Sequence, residues 1–128
     1  MKFSTKAEYG LKAMVNLASA YPAQKTSKEI ALAENISVKY LERLLSLLLK
    51  QQLIQSQQGK NGGYVLRKNP KLIKVGEIVE ILEGPIAPMP CVGKFCSAQH
   101  RCPSSVVWLK LGAQIKKTLY QMKLSDLI

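Results

Sequence analysis

Three cysteines fall within twelve residues of a chain that has no others, in the stretch Pro90-Cys91-Val92-Gly93-Lys94-Phe95-Cys96-Ser97-Ala98-Gln99-His100-Arg101-Cys102. An odd number of thiols in so short a loop cannot all pair internally as disulfides. The first residues, Met1-Lys2-Phe3-Ser4-Thr5, lack the apolar core of a secretory leader, so the expectation is a cytoplasmic protein with reduced thiols. A metal or cluster site is the better reading, because thiolates are the soft ligands that iron-sulfur clusters and zinc select. Structural zinc usually takes cysteines two to four residues apart, whereas the gaps here are four and five residues, which suits a loop wrapped around a larger object. His100 would complete a Cys3His zinc site and makes zinc the main rival; as a solvated loop histidine it would have no ligand role. Three unliganded neighbouring thiols would be an oxidation hazard.

The elements that must carry this loop follow from spacing. Ala7, Leu11, Met14, Val15, Leu17 and Ala18 recur at helical intervals, and Thr5 with Glu8 has the form of a capping box, so a helix is expected over residues 5–20, ended by Pro22. Thr26 with Glu29 repeats the pattern ahead of a short helix that stops near Asn35. Ser37 is then a good N-cap for a helix in which Leu41, Leu44, Leu45 and Leu48 share one face. Two short helices joined by about three residues make a helix-turn-helix. Segments 53–57 and 64–68 flank Gly59-Lys60-Asn61-Gly62-Gly63 and predict a β-hairpin, a wing. Val75, Ile78, Val79, Ile81 and Leu82 predict one more short helix, stopped by Gly84-Pro85. After the cysteine loop, Pro103 suits a helix start, and Val107, Leu111, Ile115, Leu119 and Met122, widened by Trp108 and Tyr120, give an apolar stripe over four to five turns. Packing against the same helix of a second chain is the simplest way to bury it, although folding back onto the first helix would cover part. The expected fold is therefore mainly α with a small β-hairpin wing: a winged helix-turn-helix over residues 1–84, a cysteine loop over 85–102, and a dimerisation helix with a C-terminal tail over 103–128.

The 128 residues are 47% hydrophobic and 21% charged, enough for one core with an appendage. The formal charge of +11 comes from 19 Lys and Arg against 8 Asp and Glu, the balance of a phosphate-binding surface. No apolar run is long enough for a membrane span. A helix-turn-helix presents the start of its second helix to the major groove, where Ser37, Lys39, Tyr40, Glu42 and Arg43 lie. Arg43 could pair with guanine and Glu42 could accept from cytosine, whereas Ser37 or Lys39 would more often hold phosphates. Gly59 and Lys60 at the wing tip could meet the backbone or the minor groove. Any one of these is equally an ordinary solvated side chain; the helix pair, wing and charge together favour DNA binding over a protein-interaction winged helix. One histidine, and no evident catalytic triad or carboxylate pair, argue against an enzyme.

Several segments together resemble the Rrf-two family of bacterial winged-helix regulators over nearly the whole chain: Tyr9-Gly10-Leu11-Lys12-Ala13, Ile36-Ser37-Val38-Lys39-Tyr40-Leu41-Glu42, Gly59-Lys60-Asn61-Gly62-Gly63-Tyr64, Val75-Gly76-Glu77-Ile78 and the cysteine triad. The resemblance implies a homodimer that crosses its long helices, binds a pseudo-palindromic double-stranded operator and holds an iron-sulfur cluster whose state alters DNA affinity. Cys91, Cys96 and Cys102 match the family's cluster cysteines. One group of members takes a fourth ligand from a histidine three residues after the last cysteine; that position here is Ser105. The nitric-oxide-sensing group, which this cysteine spacing resembles more, takes it from an aspartate in the other subunit's first helix, and the matching position is Glu8. Glu8 is thus either a ligand or merely the capping partner of Thr5. The base-contacting positions of relatives fall on Ser37, Lys39, Glu42 and Arg43, and a wing arginine aligns with Gln58. The expectation is a repressor sensing redox, nitric oxide or iron-sulfur status through a 2Fe-2S or 4Fe-4S cluster; the alternatives are a zinc-stapled interaction module and a cluster-free regulator answering another ligand.

Overall fold

The computed structural model describes residues 2–59, 62–89 and 102–128. Its elements run α1 (Thr5–Ala20), α2 (Ser27–Glu34), α3 (Val38–Lys50), β1 (Ile54–Gln57), β2 (Gly63–Leu66), a 3-10 turn at Pro70–Leu72, α4 (Val75–Glu83), α5 (Ser105–Gln121) and a further 3-10 turn at Leu124–Leu127. This is the mainly helical winged helix-turn-helix with a long C-terminal helix that the spacing predicts.

Local chemistry sets the helix ends. The Thr26 hydroxyl accepts from the Glu29 N–H at 3.1 Å and starts α2, and the Ser37 hydroxyl accepts from the Tyr40 N–H at 3.1 Å and starts α3. Between them Asn35 takes the left-handed conformation at φ 54°, which reverses the chain in three residues. The start of α1 differs from the expected capping box. Ser4 occupies the cap position without a side-chain cap, its N–H donates to the Glu83 carboxylate, and Thr5 turns toward Tyr40 instead. A long-range acceptor at the end of α4 has replaced the local one. α1 ends ahead of the cis Tyr21-Pro22 bond.

The hairpin is slightly shifted from its expected bounds, with Ile54 opposite Leu66 and Gln57 opposite Gly63. Lys25 adds a third rung: its N–H donates to the Tyr64 carbonyl at 2.9 Å, and the Tyr64 N–H returns to the Lys25 carbonyl at 2.8 Å. A Cβ on Gly63 would stand 2.5 Å from the Lys25 carbonyl oxygen, so this pairing needs glycine there.

One core gathers Met14 and Leu17 of α1, Ile30 of α2, Leu41, Leu44, Leu45 and Leu48 of α3, Ile54 and Leu66 of the hairpin, and Ile78 and Leu82 of α4. Burying each of these large side chains contributes about 1.5 to 3 kcal/mol. The chain's end belongs to the same core, because Leu124 is fully buried in it. There the Leu124 N–H donates to the Ile73 carbonyl, and the Met122 carbonyl accepts from the Val75 N–H, both at 2.9 Å. The tail therefore satisfies the first amide of α4, which lacks a side-chain cap.

α5 docks on the outer side of α4, where Ile115, Leu119 and Met122 pack on Val75, Val79 and Ile86. A nine-residue helix is about 13 Å long and a seventeen-residue helix about 25 Å, so α4 cannot cover all of α5. Val106, Val107, Leu109 and Leu111 accordingly remain exposed, and only the C-terminal part of the expected stripe is covered within the chain. Two glycines set the close approaches. A Cβ on Gly10 would overlap the Leu82 side chain, and one on Gly76 would overlap the Tyr120 ring. The Tyr120 hydroxyl donates to Glu80 Oε2 at 3.1 Å, while Lys116 Nζ stands 3.5 Å from Glu80 Oε1.

Two outcomes are expected. In a helix interior alanine is normally favoured over glycine by up to about 1 kcal/mol, yet overpacking costs about 1 to 3 kcal/mol; Gly76→Ala should therefore lower the unfolding midpoint by several degrees, and an unchanged or higher midpoint would refute the close-packing account. Burial, then the hydrogen bond to Glu80 and the charges of Glu80 and Glu77, push the Tyr120 phenol above its ordinary value of 10.0. The unfolded phenol then ionises first, so Tyr120 contributes stability that is complete below pH 10.0 and is lost as pH rises through the higher folded value. Denaturant unfolding should weaken more steeply above that pH in the native chain than in Tyr120→Phe, whereas parallel curves would contradict the assignment.

Candidate nucleic-acid interface and metal centre

The buried leucines of α3 fix which of its residues face outward. Ser37, Lys39, Glu42 and Arg43 are exposed at the start of α3, whereas Tyr40 is half-buried and packs against the core. Glu42 is oriented from the neighbouring helix: the Ser27 hydroxyl donates to Glu42 Oε1 at 3.3 Å. Tyr40 is braced on its other side, edge-on against Tyr9 with ring centroids 6.2 Å apart and planes at 89°. Lys12 Nζ lies 5.2 Å from the Tyr9 ring centroid and 3.5 Å from the Glu8 carboxylate. The Tyr40 hydroxyl stands 3.5 Å from the Thr5 hydroxyl. Ser27 and Thr5 escaped the sequence reading because each acts on a residue fifteen or more positions away.

At the wing, Gly59 has φ 129° and its carbonyl accepts from the Gly62 N–H at 3.0 Å, closing the turn. A Cβ on Gly62 would approach the Gln57 carbonyl oxygen to 2.7 Å. Lys60, expected at the wing tip, lies outside the described residues.

Of the expected metal ligands, Cys91 and Cys96 lie outside the described residues, as does His100. Cys102 is half-exposed just before α5. Its sulfur is 3.1 Å from the Ser104 hydroxyl. That hydrogen bond first, and then the Ser105 N–H, hold the thiol below its ordinary value and so favour the thiolate, the form that binds soft metals. Ser105, at the position where some relatives carry a histidine ligand, is 4% exposed, and its hydroxyl donates to the Cys102 carbonyl at 2.7 Å. It serves the helix start. Glu8 is exposed and pairs with Lys12 one helical turn on, so its capping reading falls. No hydrogen bond or ion pair joins Glu8 to Cys102 among the described residues, and no group of three or more His, Cys, Asp and Glu side chains assembles there. The donor chemistry of Cys102 fits a soft metal or cluster.

No helix among the described residues is long and apolar enough to cross a membrane. Over residues 3–128 the chain matches the family Rrf2, described as an iron-dependent transcriptional regulator. It is 38% identical over 128 residues to the HTH-type transcriptional regulator CymR of Bacillus subtilis, covering 99% of this chain and 89% of that one. The structure of CymR, the global cysteine regulator of B. subtilis, superposes with a TM-score of 0.82 at 36% identity, covering 99% of this chain and 95% of that one. T. potens IscR superposes with a TM-score of 0.79 at 35% identity, covering 98% of this chain and 85% of that one. With the family model matching residues 3–128 and relatives more than 30% identical along the whole chain, the chain belongs to the Rrf2 family of winged-helix, DNA-binding transcriptional regulators and is not an enzyme.

Proposed function

We propose that this regulator is a homodimeric repressor that senses redox, nitric oxide or iron-sulfur status through an iron-sulfur cluster held by Cys91, Cys96 and Cys102, with Glu8 reaching across from the partner chain as the fourth ligand. The observation that carries the reading is the position of Cys102. Its thiolate-favouring site opens α5 immediately before the exposed Val106, Val107, Leu109 and Leu111. A ligand bound at Cys102 would therefore act on the face best suited to pair two chains, and on the spacing of their two reading heads. The working division is a reading head over residues 1–84, a sensor loop over 85–102 and a dimer helix with its tail over 103–128. The cluster supplies reversible redox and nitric-oxide chemistry; the protein's own residues supply ligation and the coupling to DNA.

On DNA, α3 enters the major groove. Glu42, oriented by Ser27, accepts from a cytosine amino group, Ser37 and Lys39 hold phosphates, and Tyr40 lies against the strand beside them. Gly59 and Lys60 bring the wing close to the flanking backbone.

A second reading has its own support. Similarity to CymR, whose solved structure is titled the global cysteine regulator, favours a cluster-free regulator that answers a signal of cysteine metabolism. A third arrangement, zinc held by the three thiols, would reduce the loop to a structural staple.

Purification without oxygen, followed by visible absorption and counts of iron, sulfide and zinc per chain, separates the three. The cluster reading expects brown protein with near-stoichiometric iron and sulfide, nearly all of it lost in Cys102→Ser, and operator affinity that differs between loaded and stripped protein at fixed salt. Colourless protein carrying one zinc would leave a staple, and metal-free protein with unchanged operator affinity would leave the cysteine-metabolism reading.

A further inference from the structure

The start of α1 and one edge of α3 bound a cleft of about 360 Å³, walled by Leu44 and Leu47 and rimmed by Thr5, Lys6, Tyr40 and Arg43. Two unneutralised cations converge on it. The acids nearest it are engaged: Glu8 of α1 pairs with Lys12, Glu42 of α3 accepts from Ser27, and Glu83 of α4 accepts from the backbone N–H of Ser4, which also lines the cleft. Lys6 and Arg43 have no ion pair among the described residues. The two hydroxyls of the rim, those of Tyr40 and Thr5, are 3.5 Å apart, and the Tyr40 ring is fixed edge-on by Tyr9. Two cations beside a hydroxyl pair with one O–H left to donate make a pocket for a tetrahedral oxyanion.

The direction of Arg43 distinguishes it from its neighbour. Successive residues of an α-helix are about 100° apart, so Arg43 and Glu42 lie on different edges of α3. Glu42 faces the start of α2 through Ser27, whereas Tyr40, Arg43 and Leu47, at i, i+3 and i+7, border the start of α1. We propose that this cleft takes a phosphodiester of the DNA strand flanking the groove that α3 enters, and that Arg43 with Lys6 is a backbone anchor and not a reader of guanine. The proposal deepens the DNA-binding mode set out above and rests on it. Its consequence is that the first helix fixes the angle at which α3 enters the groove, and that base choice falls to the edge bearing Glu42.

The test uses the full chain with two probes, a mixed-sequence duplex of about 30 base pairs and duplexes recovered by the native chain from a randomised pool. Because both chains of the proposed dimer carry the substitution, the slope of log affinity against log salt should fall by about 1.8 for Lys6→Gln or Arg43→Gln, and by about 3.6 for both together. Between about 50 and 200 mM salt the native chain should thus lose on the order of a hundredfold more affinity than the double variant. Base preferences among the recovered duplexes should not change, and Arg43→Lys should keep the native slope. All positions are exposed, so unfolding midpoints should match and serve as the folding control. An unchanged slope in the double variant would overturn the clamp. Loss of a guanine preference in both Arg43→Gln and Arg43→Lys would overturn it differently, by making Arg43 a base reader. Failure of the native chain to bind either probe in a salt-dependent way would sink the DNA-binding mode itself.

Discussion

Helix α4 is the part on which the other contacts depend, because it is approached on two sides at distances that exclude a β-carbon. Gly10 lets α1 settle against Leu82, and Gly76 lets the Tyr120 ring lie on the α4 backbone. Dispersion and apolar burial fall off steeply with separation, so these two notches determine how well both faces of a nine-residue helix are packed. The polar contacts at its rim follow: Glu83 receives the Ser4 amide, Glu80 is shared by Tyr120 and Lys116, and the Val75 amide finds the Met122 carbonyl. The reading head and the final helix are thereby held to the same short piece of backbone.

That arrangement gives the molecule a short mechanical path. α3 packs its leucines on the core that α4 closes, and α5 lies on an adjoining face of α4. The start of α5, where Cys102 sits, is separated from α3 by one helix and the tail that returns to it. The hydroxyl contacts to Glu42 and Tyr40 of α3 come from α2 and α1, so the outer surface of α3 is framed by the first core while Val106, Val107, Leu109 and Leu111 of α5 lie exposed. A rigid lever between two surfaces needs no long network of side chains to couple them.

Charge is arranged to match. Glu77, Glu80 and Glu83 lie on α4, while α1 and α3 carry one acid each. With Glu8 and Glu42 both engaged by neighbours, the basic side chains of the reading face are left unneutralised, and a phosphate backbone is the partner that such a face attracts. Among the described residues the exposed Glu8 carboxylate pairs with Lys12 at one helical turn, a weak solvent-screened pair.

Features set by short-range rules were legible in the chain alone. Thr26 and Ser37 act on amides three residues away, Asn35 needs only its own backbone angles, and the leucines of α3 share a face by period alone, so the helix-turn-helix and the wing could be read directly. The family motifs could be read too, but not the reasons for their glycines, which involve Leu82 and Tyr120 far along the chain. Packing of distant elements is what turns Thr5 to Tyr40, brings Glu83 to the start of α1, joins Lys25 to the wing, lets Ser27 orient Glu42 and places Leu124 in the first core. α4 is also too short to cover the apolar stripe of α5. These contacts pair side chains whose separation in sequence carries no period, and they exist only once the helices have packed close enough for one element's edge to meet another's.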